Sequence, residues 1–205
     1  MTRDLVILVS CQNCKAALQG ITSQFAKLGI RAITTDIFVH PGHDPGCVSD
    51  PVSILRSQQS RYLFAMIVCD HEGSGREGIS ATEIEADLES QLMASGWDGR
   101  SSAIVIQPEL ESWVWSDSPH VADILGWNSL TPTMREWLEN AEFLRSGEIK
   151  PPRPKAAVEA VMQFCRRRRT SAIYSKLTEK VGFGRCQDRA FRKLCQTLGS
   201  WFPQR

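Results

Sequence analysis

The 205-residue sequence lacks any long apolar run: no stretch approaches the roughly 18–20 apolar residues that a membrane-spanning helix requires. The apolar run near its start, residues 5–9, is too short for the hydrophobic segment of a signal peptide, and no small-residue cleavage site follows it. These absences argue against membrane proteins and secreted proteins. We therefore expect a cytoplasmic protein with no membrane partner.

The sequence also lacks the cysteine pattern of a small disulfide-stapled module. Its seven cysteines are an odd number, and they are spread over a chain that is too long for such modules. Internal repeats and low-complexity tracts are absent as well, and the 42% hydrophobic and 23% charged residues are ordinary globular values. The length suits one domain with a small appendage.

A large net charge is absent too, but the charges are unevenly distributed. The formal net charge is only +1, yet residues 146–205 hold 14 Lys and Arg against 4 Asp and Glu. The preceding residues hold the remaining 10 basic and 19 acidic side chains. An acidic body beside a basic C-terminal region could place carboxylates next to a surface that attracts phosphates. The alternative is a solvated basic helix that packs on an acidic domain.

Short apolar runs that alternate with helical patterns indicate an α/β fold. The predicted strands are residues 5–9, 32–39, 62–69 and 102–106. Helices are expected at residues 13–28, 51–60, 82–94, 109–115 and 134–144, and a Pro- and Gly-rich loop is expected at 40–46. Strands joined by helices make right-handed crossovers, so we expect a mainly parallel four-stranded sheet flanked by helices.

A proline-rich segment, residues 147–154, divides the chain. Residues 1–146 are expected to form the α/β domain. Residues 147–205 are expected to form a basic helical extension of two or three helices packed on that domain.

Acidic side chains follow two of the predicted strands at the point where each strand ends. Asp70 and Glu72 come directly after the third strand. Glu109 and Glu111 come after the fourth. The functional crevice of a parallel sheet lies beyond the carboxyl ends of its strands, so these side chains are expected at one edge. Carboxylates suit Mg²⁺ or Mn²⁺, and a cation would relieve their mutual repulsion. The alternative is that each acid stabilises the N-terminus of a following helix.

Cys11 and Cys14 form a Cys-x-x-Cys motif where the first strand meets the first helix. Such a motif carries thiols of low pKa in thioredoxin-like enzymes. With His40 and His43 it could instead begin a zinc site, although no second closely spaced cysteine pair supports zinc. The third interpretation is two ordinary thiols at the start of a helix.

Two segments resemble the Toprim family. Residues 67–75 (IVCDHEGSG) resemble the strand and paired acidic motif of Toprim domains. Residues 104–113 (IVIQPELESW) resemble the signature of small Toprim-like proteins from prokaryotic defence islands, some of which belong to methylation-associated anti-phage systems. The resemblance implies a Toprim-like sheet, binding of Mg²⁺ or Mn²⁺, and nuclease-like phosphodiester chemistry on DNA or RNA, with other defence-system proteins as possible partners.

On this interpretation Asp70 and Glu72 hold the cation, and Glu109 and Glu111 complete or replace the ligand set. The candidate catalytic residues are Glu72 and Lys155, because a lysine near the metal can neutralise charge on a transferring phosphoryl group. The alternative for Lys155 is a solvated lysine at the start of a helix.

One position departs from the Toprim pattern. Toprim domains usually carry a glutamate directly after the first strand, where it acts as general acid or base, whereas this chain has Ser10, Cys11 and Gln12 there. Asp36 on the second strand is either a substitute or a solvated residue. The departure leaves a second hypothesis open: a non-catalytic Toprim-like subunit that binds nucleic acid or a defence-system partner protein.

Four consecutive arginines lie in the basic C-terminal region. Arg166, Arg167, Arg168 and Arg169 follow a predicted amphipathic helix. Arginine binds phosphate through two parallel hydrogen bonds, so these residues are the candidate nucleic-acid contacts. The alternative is a solvated helix end whose positive charges suit the helix dipole.

Overall fold

The computed structural model of the chain describes residues 2–116 and 118–204. Its strands form one sheet in the order β2-β1-β3-β4, and every pairing is parallel. The strands are β1 (Arg3–Val9), β2 (Thr35–Val39), β3 (Tyr62–Asp70) and β4 (Ser101–Ile106). The predicted four-stranded parallel α/β sheet flanked by helices is confirmed.

The described residues also form ten α-helices. These are α1 (Gln12–Thr22), α2 (Phe25–Leu28), α3 (His43–Ser49), α4 (Pro51–Leu55), α5 (Ala81–Leu92), α6 (Pro119–Leu125), α7 (Met134–Asn140), α8 (Pro154–Phe164), α9 (Ser171–Lys180) and α10 (Arg189–Trp201). Within these ranges no helix combines the length and the apolar character that crossing a membrane would demand.

Both faces of the sheet are buried. Residues 5–9 of β1 are all fully inaccessible to solvent, which explains why this strand is an unbroken apolar run. Leu5, Ile7 and Val9 face one core and Val6 and Leu8 face the other. The sheet is therefore the middle layer of three.

The C-terminal helices supply much of the layer on one face of the sheet. Buried residues of α8, α9 and α10 belong to the same apolar core as Leu5, Ile7 and Val9. Helix α9 packs closely along α1, where a Cβ added to Gly20 would lie 1.9 Å from Thr178 Oγ1. Helices α8, α9 and α10 thus share a core with the sheet that they cover.

Side chains cover the open edge of β4. Glu85 accepts a hydrogen bond from the Val105 N–H at 2.8 Å, and Glu89 accepts one from the Ala103 N–H at 2.9 Å. Arg189 of α10 donates to the Val105 carbonyl at 2.7 Å and pairs with Glu85. Satisfying these edge groups keeps another strand from adding to the sheet there.

The predicted helix at 13–28 is wrong in one respect: it is two helices with a break between them. Thr22 Oγ1 donates to the Leu18 carbonyl at 2.7 Å, and Ser23 Oγ donates to the Gly20 carbonyl at 2.9 Å. Hydroxyls that bond to the carbonyls of the last turn compete with the backbone ladder and end α1. Gly29 ends α2 in a left-handed conformation (φ 66°), as predicted.

Two further local predictions differ from the structure. The Pro- and Gly-rich residues 40–46, predicted as a loop, contain the start of α3 at His43. The helix predicted at 109–115 is a short 3-10 turn over Leu110–Trp113. Both segments lie at the carboxyl end of the sheet, so their actual course decides which side chains meet there.

Candidate functional site

The strand order creates a crevice between β1 and β3. The chain leaves β1 towards β2 on one side and returns across β1 to β3 on the other, so the connections diverge between these two central strands. Such a switch point is where ligands bind in open α/β sheets. Asp70 is the last residue of β3 and stands at this crevice.

Asp70 carries an unsatisfied buried atom. Although the residue as a whole is only partly buried, its Oδ1 is inaccessible to solvent and has no hydrogen-bond partner within the described ranges. Burial raises the pKa of Asp70 well above its usual range, and the charges of Asp44, Glu111 and Glu109 raise it further, while a hydrogen bond from the Leu110 backbone to the carboxylate works against the shift. A buried oxygen without a donor is costly, so this atom is the natural point for a ligand to bind.

Asp44 is a site residue that the sequence prediction missed. It lies in the first turn of α3, after β2, and its Oδ1 accepts a hydrogen bond from the Asp70 N–H at 2.8 Å. His43 starts this helix in a left-handed conformation (φ 52°), with its Nδ1 3.1 Å from the Ser10 carbonyl oxygen. The carboxyl end of β2 was the available signal, because every loop leaving that edge can reach the crevice.

The chain after β3 continues alongside the chain after β4. The His71 N–H donates to the Ile106 carbonyl at 2.8 Å, and the Glu72 N–H donates to the Pro108 carbonyl at 2.9 Å. This extended pairing places the exposed Glu72 next to the segment that carries Glu109. The carboxylate of Glu72 also contributes to raising the pKa of Glu109.

Glu109 is 8% exposed and connects the sheet edge to the C-terminal helices. Its Oε1 accepts a hydrogen bond from the Lys155 N–H at 2.9 Å, in the first turn of α8. Burial raises the pKa of Glu109, although this hydrogen bond works against the shift. The capping alternative thus holds in part, since one oxygen of Glu109 caps a helix that is distant in sequence.

Glu111 is 2% exposed, and its charge is balanced by a cationic side chain of the protein. Its Oε1 accepts a hydrogen bond from the Tyr174 hydroxyl at 2.5 Å and forms a salt bridge with Arg169. Burial, and then the charge of Glu111, raise the pKa of Tyr174, so the phenol stays a donor. Glu111 therefore anchors α9 to the site, and its neutralised charge makes it a weaker cation ligand than Asp70.

Lys155 is exposed, and only its backbone N–H contacts the site directly. The ammonium group lies close enough to lower the pKa of Glu109. The side chain is thus at the rim of the site, where it could meet a phosphate that entered from solvent.

The loop after Glu72 is held by its own side chains. His71 is largely buried, and its Nε2 lies 2.8 Å from the Ile79 carbonyl oxygen. Glu77 accepts hydrogen bonds from the N–H groups of Gly73 at 2.8 Å and Gly75 at 3.2 Å. These contacts give His71 an orienting role, because its ring bridges the two ends of the loop.

The donor set fits an open site better than a closed metal cage. Across the described ranges, no group of three or more His, Cys, Asp or Glu side chains is placed so that it could hold a metal ion. Mg²⁺, however, usually takes one or two carboxylates together with waters and substrate phosphates. The unpartnered Asp70 Oδ1 with the nearby Glu109 matches that smaller requirement in the type and number of ligands.

The thiols do not support zinc or redox chemistry. Cys11 Sγ accepts a hydrogen bond from the Cys14 N–H at 3.4 Å and so caps α1. Burial raises the pKa of both thiols, whereas redox and metal-binding cysteines need a stabilised thiolate. His40 Nδ1 accepts a hydrogen bond from the Gly42 N–H at 2.9 Å. Two ordinary thiols at the start of α1, Cys14 buried and Cys11 partly buried, account for these observations.

Asp36 lies apart from the site. It pairs across the sheet with Val6, well before the carboxyl end of β2, and its carboxylate binds Arg3 at 2.8 Å and Tyr62. Asp44 is the carboxylate that the fold brings to the crevice from the region of β2.

The four arginines divide into two groups. Arg169 is 26% exposed and binds Glu111, Glu159 and Tyr174. Arg166, Arg167 and Arg168 are exposed, and none has an ion-pair partner in the described part of the chain. The free positive charge of the run is therefore carried by the first three residues.

No match was found when the chain was compared with known protein families, with curated proteins and with solved structures.

Proposed function

We propose that this protein is a Toprim-like phosphodiesterase that uses Mg²⁺ or Mn²⁺ to act on nucleic acid, as part of a prokaryotic anti-phage defence system. The observation that carries the proposal is the Asp70 Oδ1 atom, buried without a partner and crowded by Asp44, Glu109 and Glu111 at the switch point of the sheet. Crowded carboxylates of this kind are relieved by a cation.

Asp70 and Glu109 would hold the cation, with Glu72 beside them. When bound, such a cation stabilises negative charge on a phosphate and lowers the pKa of a bound water. The exposed Glu72 is placed at the solvent side, where it can accept a proton. Asp44 fixes the end of β3 through the Asp70 N–H, and Lys155 adds positive charge at the rim.

The exposed arginines support nucleic acid as the substrate. Arg169 binds Glu111 at the site, and Arg166, Arg167 and Arg168 directly precede it in the chain. Positive charge without an internal partner attracts the phosphate backbone and releases its counterions.

A non-catalytic subunit is the second candidate, and one observation favours it. The residues after β1 are Ser10, whose buried Oγ has no hydrogen-bond partner in the described ranges, and Cys11, whose thiol pKa is raised by burial. Neither supplies the acid or base that Toprim enzymes usually place there. As a non-catalytic subunit, the protein would use the candidate site and the exposed arginines to bind a nucleic acid or a defence-system protein, without cleaving it.

Cation titration and a cleavage assay, performed together, test the proposal. Mg²⁺ and Mn²⁺ are titrated calorimetrically into the wild type and the Asp70→Asn variant, and labelled DNA and RNA are incubated with both proteins. We expect the wild type to bind the cation and cleave, and the variant to lose both properties while keeping its affinity for nucleic acid. Asp98→Asn is the matched control, since Asp98 is exposed and lies before β4 at the other end of the sheet.

Each outcome has a defined meaning. A wild type that binds no divalent cation with or without nucleic acid contradicts the metal site. Cation binding without cleavage of any tested DNA or RNA, alone or with the natural partners, favours the non-catalytic subunit.

A further inference from the structure

An exposed aromatic ring stands beside the free arginines. Phe164 is the last residue of α8 and is 52% exposed, although it is a large apolar side chain. Arg166, Arg167 and Arg168 follow within four residues and are exposed as well. We call these four residues the arginine–phenylalanine surface.

Phe164 is the outermost ring of an aromatic stack. Its ring lies 4.9 Å from that of Trp127 at an interplanar angle of 19°, and 5.0 Å from that of Trp137. Trp127 is 4% exposed, and its Nε1 donates to the Pro132 carbonyl at 3.0 Å. Trp127 is therefore fixed in the fold, while Phe164, which packs against it, keeps about half of its surface exposed to solvent.

Arg166 adopts a backbone conformation that favours glycine. Its φ is 51°, and it ends α8 with two hydrogen bonds: its own N–H donates to the Gln163 carbonyl, and the Arg167 N–H donates to the Met162 carbonyl. This is the usual pattern of a helix that ends in glycine. A glycine would adopt this conformation at less cost, and the exposed Arg166 side chain places a positive charge at the C-terminal end of α8, next to Phe164.

Arg167 is held against the same stack. Gly126, directly before Trp127, has a φ of 101°, and a Cβ added there would lie 2.9 Å from Arg167 Cγ. The stem of Arg167 thus rests on Gly126 beside Trp127. Its charged end belongs to an exposed residue, so the surface presents positive charge next to the open aromatic ring.

We infer that the arginine–phenylalanine surface binds single-stranded nucleic acid, with an unpaired base stacked on Phe164 and the neighbouring phosphates on the arginines. In a duplex the faces of the bases are stacked on one another, whereas an unpaired base offers a free face to an aromatic side chain. The inference rests on the proposed function only in taking nucleic acid as the partner, because binding needs no cleavage.

Arg169 connects the surface to the candidate site. It is the next residue of the run, and it forms the salt bridge with the buried Glu111.

Fluorescence anisotropy in EDTA tests the inference without cleavage. Labelled single-stranded DNA and RNA are compared with duplexes of the same sequence on the wild type and on Phe164→Leu, Phe164→Tyr, Arg166→Gly and Arg56→Ser. Leucine keeps the apolar volume but lacks an aromatic face, and tyrosine restores the face. Arg56 is an exposed arginine before β3, so it controls for simple loss of charge.

We expect single strands to bind more tightly than duplexes, and Phe164→Leu to weaken single-strand binding about tenfold while Phe164→Tyr preserves it. Arg166→Gly should lower the salt dependence by about one unit of slope and leave thermal stability unchanged or higher. Arg56→Ser should change neither property.

Equal or tighter binding of duplexes, or single-strand binding that Phe164→Leu leaves unchanged, overturns the inference. No binding of either form overturns it as well. The proposed phosphodiesterase is judged separately by Asp70-dependent cleavage, so the two can fail independently.

Discussion

Asp44 Oδ1 accepts a hydrogen bond from the backbone N–H of Asp70 at 2.8 Å, which places two carboxylate residues from different loops at one end of the sheet. The charge of Asp44 is the largest contribution from a neighbouring charge to the raised pKa of Asp70. The hydrogen bond satisfies a backbone donor of β3, but the repulsion between the two carboxylates is a cost that a bound cation would relieve. The pair is therefore the best place to test function against stability.

Replacing Asp70 should stabilise the protein while removing its activity. Burial raises the pKa of Asp70 in the folded protein above the ordinary 3.8, so the folded state keeps a proton there that the unfolded chain releases. The stability this group contributes is therefore fully present below pH 3.8 and is lost as the pH rises through the raised pKa. Asparagine has no carboxyl group that ionises, so Asp70→Asn avoids this loss of stability. We expect the free energy of unfolding at pH 7 to rise by about 0.5–2 kcal/mol.

Urea denaturation in EDTA at several pH values measures this effect, with Asp98→Asn as the control. Added Mg²⁺ should raise the stability of the wild type, because the cation binds the folded state, and should not raise that of Asp70→Asn. An Asp70→Asn variant that is less stable than the wild type at pH 7 in EDTA would show that hydrogen bonding to the ionised carboxylate, such as that from the Leu110 backbone, outweighs the cost of its burial.

Asp44 and Asp36 should respond differently to the same substitution. Asp44→Asn keeps an oxygen acceptor for the Asp70 N–H but removes a negative charge beside the cation site, so we expect folding to be retained and cation affinity and cleavage to fall about 10- to 100-fold. Asp36→Asn disturbs the contacts with Arg3 and Tyr62 and should lower stability only. Cleavage per folded molecule is the measurement. A loss with Asp36→Asn and none with Asp44→Asn would reverse the assignment.

Arg169 should behave as a structural residue and Arg168 as a surface residue. Glu111 is buried, so Arg169→Ala leaves its carboxylate without a cation, and we expect a loss of about 3 kcal/mol in the free energy of unfolding. Arg168→Ala, one residue earlier and exposed, should change stability by less than about 0.5 kcal/mol. Denaturant titration of both variants checks this. Equal changes in the free energy of unfolding would mean that the salt bridge between Arg169 and Glu111 does not stabilise the fold.

The features that could be predicted from the sequence are those that depend on the pattern of neighbouring residues. The apolar run in β1 and the polar residues directly after β3 can be recognised from a few neighbouring residues. Because functional residues of a parallel sheet lie beyond the carboxyl ends of its strands, this pattern was enough to place Asp70 at that edge. Asp44 was missed because Pro41, Gly42, Pro45 and Gly46 around it read as a loop, whereas Pro45 is tolerated in the first turn of α3. The ion pair between Glu111 and Arg169 could not be predicted from the sequence either. The two residues are 58 positions apart, and only the packing of α9 brings them together.

The packing of α9 on α1 depends on Gly20, and this predicts opposite effects at two helical glycines. A Cβ at Gly20 would lie 1.9 Å from Thr178 Oγ1, and that hydroxyl cannot swing away freely because it donates to the Ser175 carbonyl at 2.7 Å. We expect Gly20→Ala to lower the free energy of unfolding by about 1–3 kcal/mol. Gly199 in α10 has no atom within 4 Å of its added Cβ, so Gly199→Ala should raise stability by about 0.5–1 kcal/mol.

Thermal and urea denaturation of the single variants and of the double variant Gly20→Ala, Thr178→Ala measure these effects. Removing the hydroxyl and methyl of Thr178 makes room for the new Cβ, so the double variant should recover much of the stability that Gly20→Ala loses. The same loss should weaken the site, because α9 carries Tyr174, which binds the buried Glu111. If Gly20→Ala were as stable as the wild type, or if the second substitution gave no recovery, the close approach of α1 and α9 would not be what fixes α9 beside the candidate site.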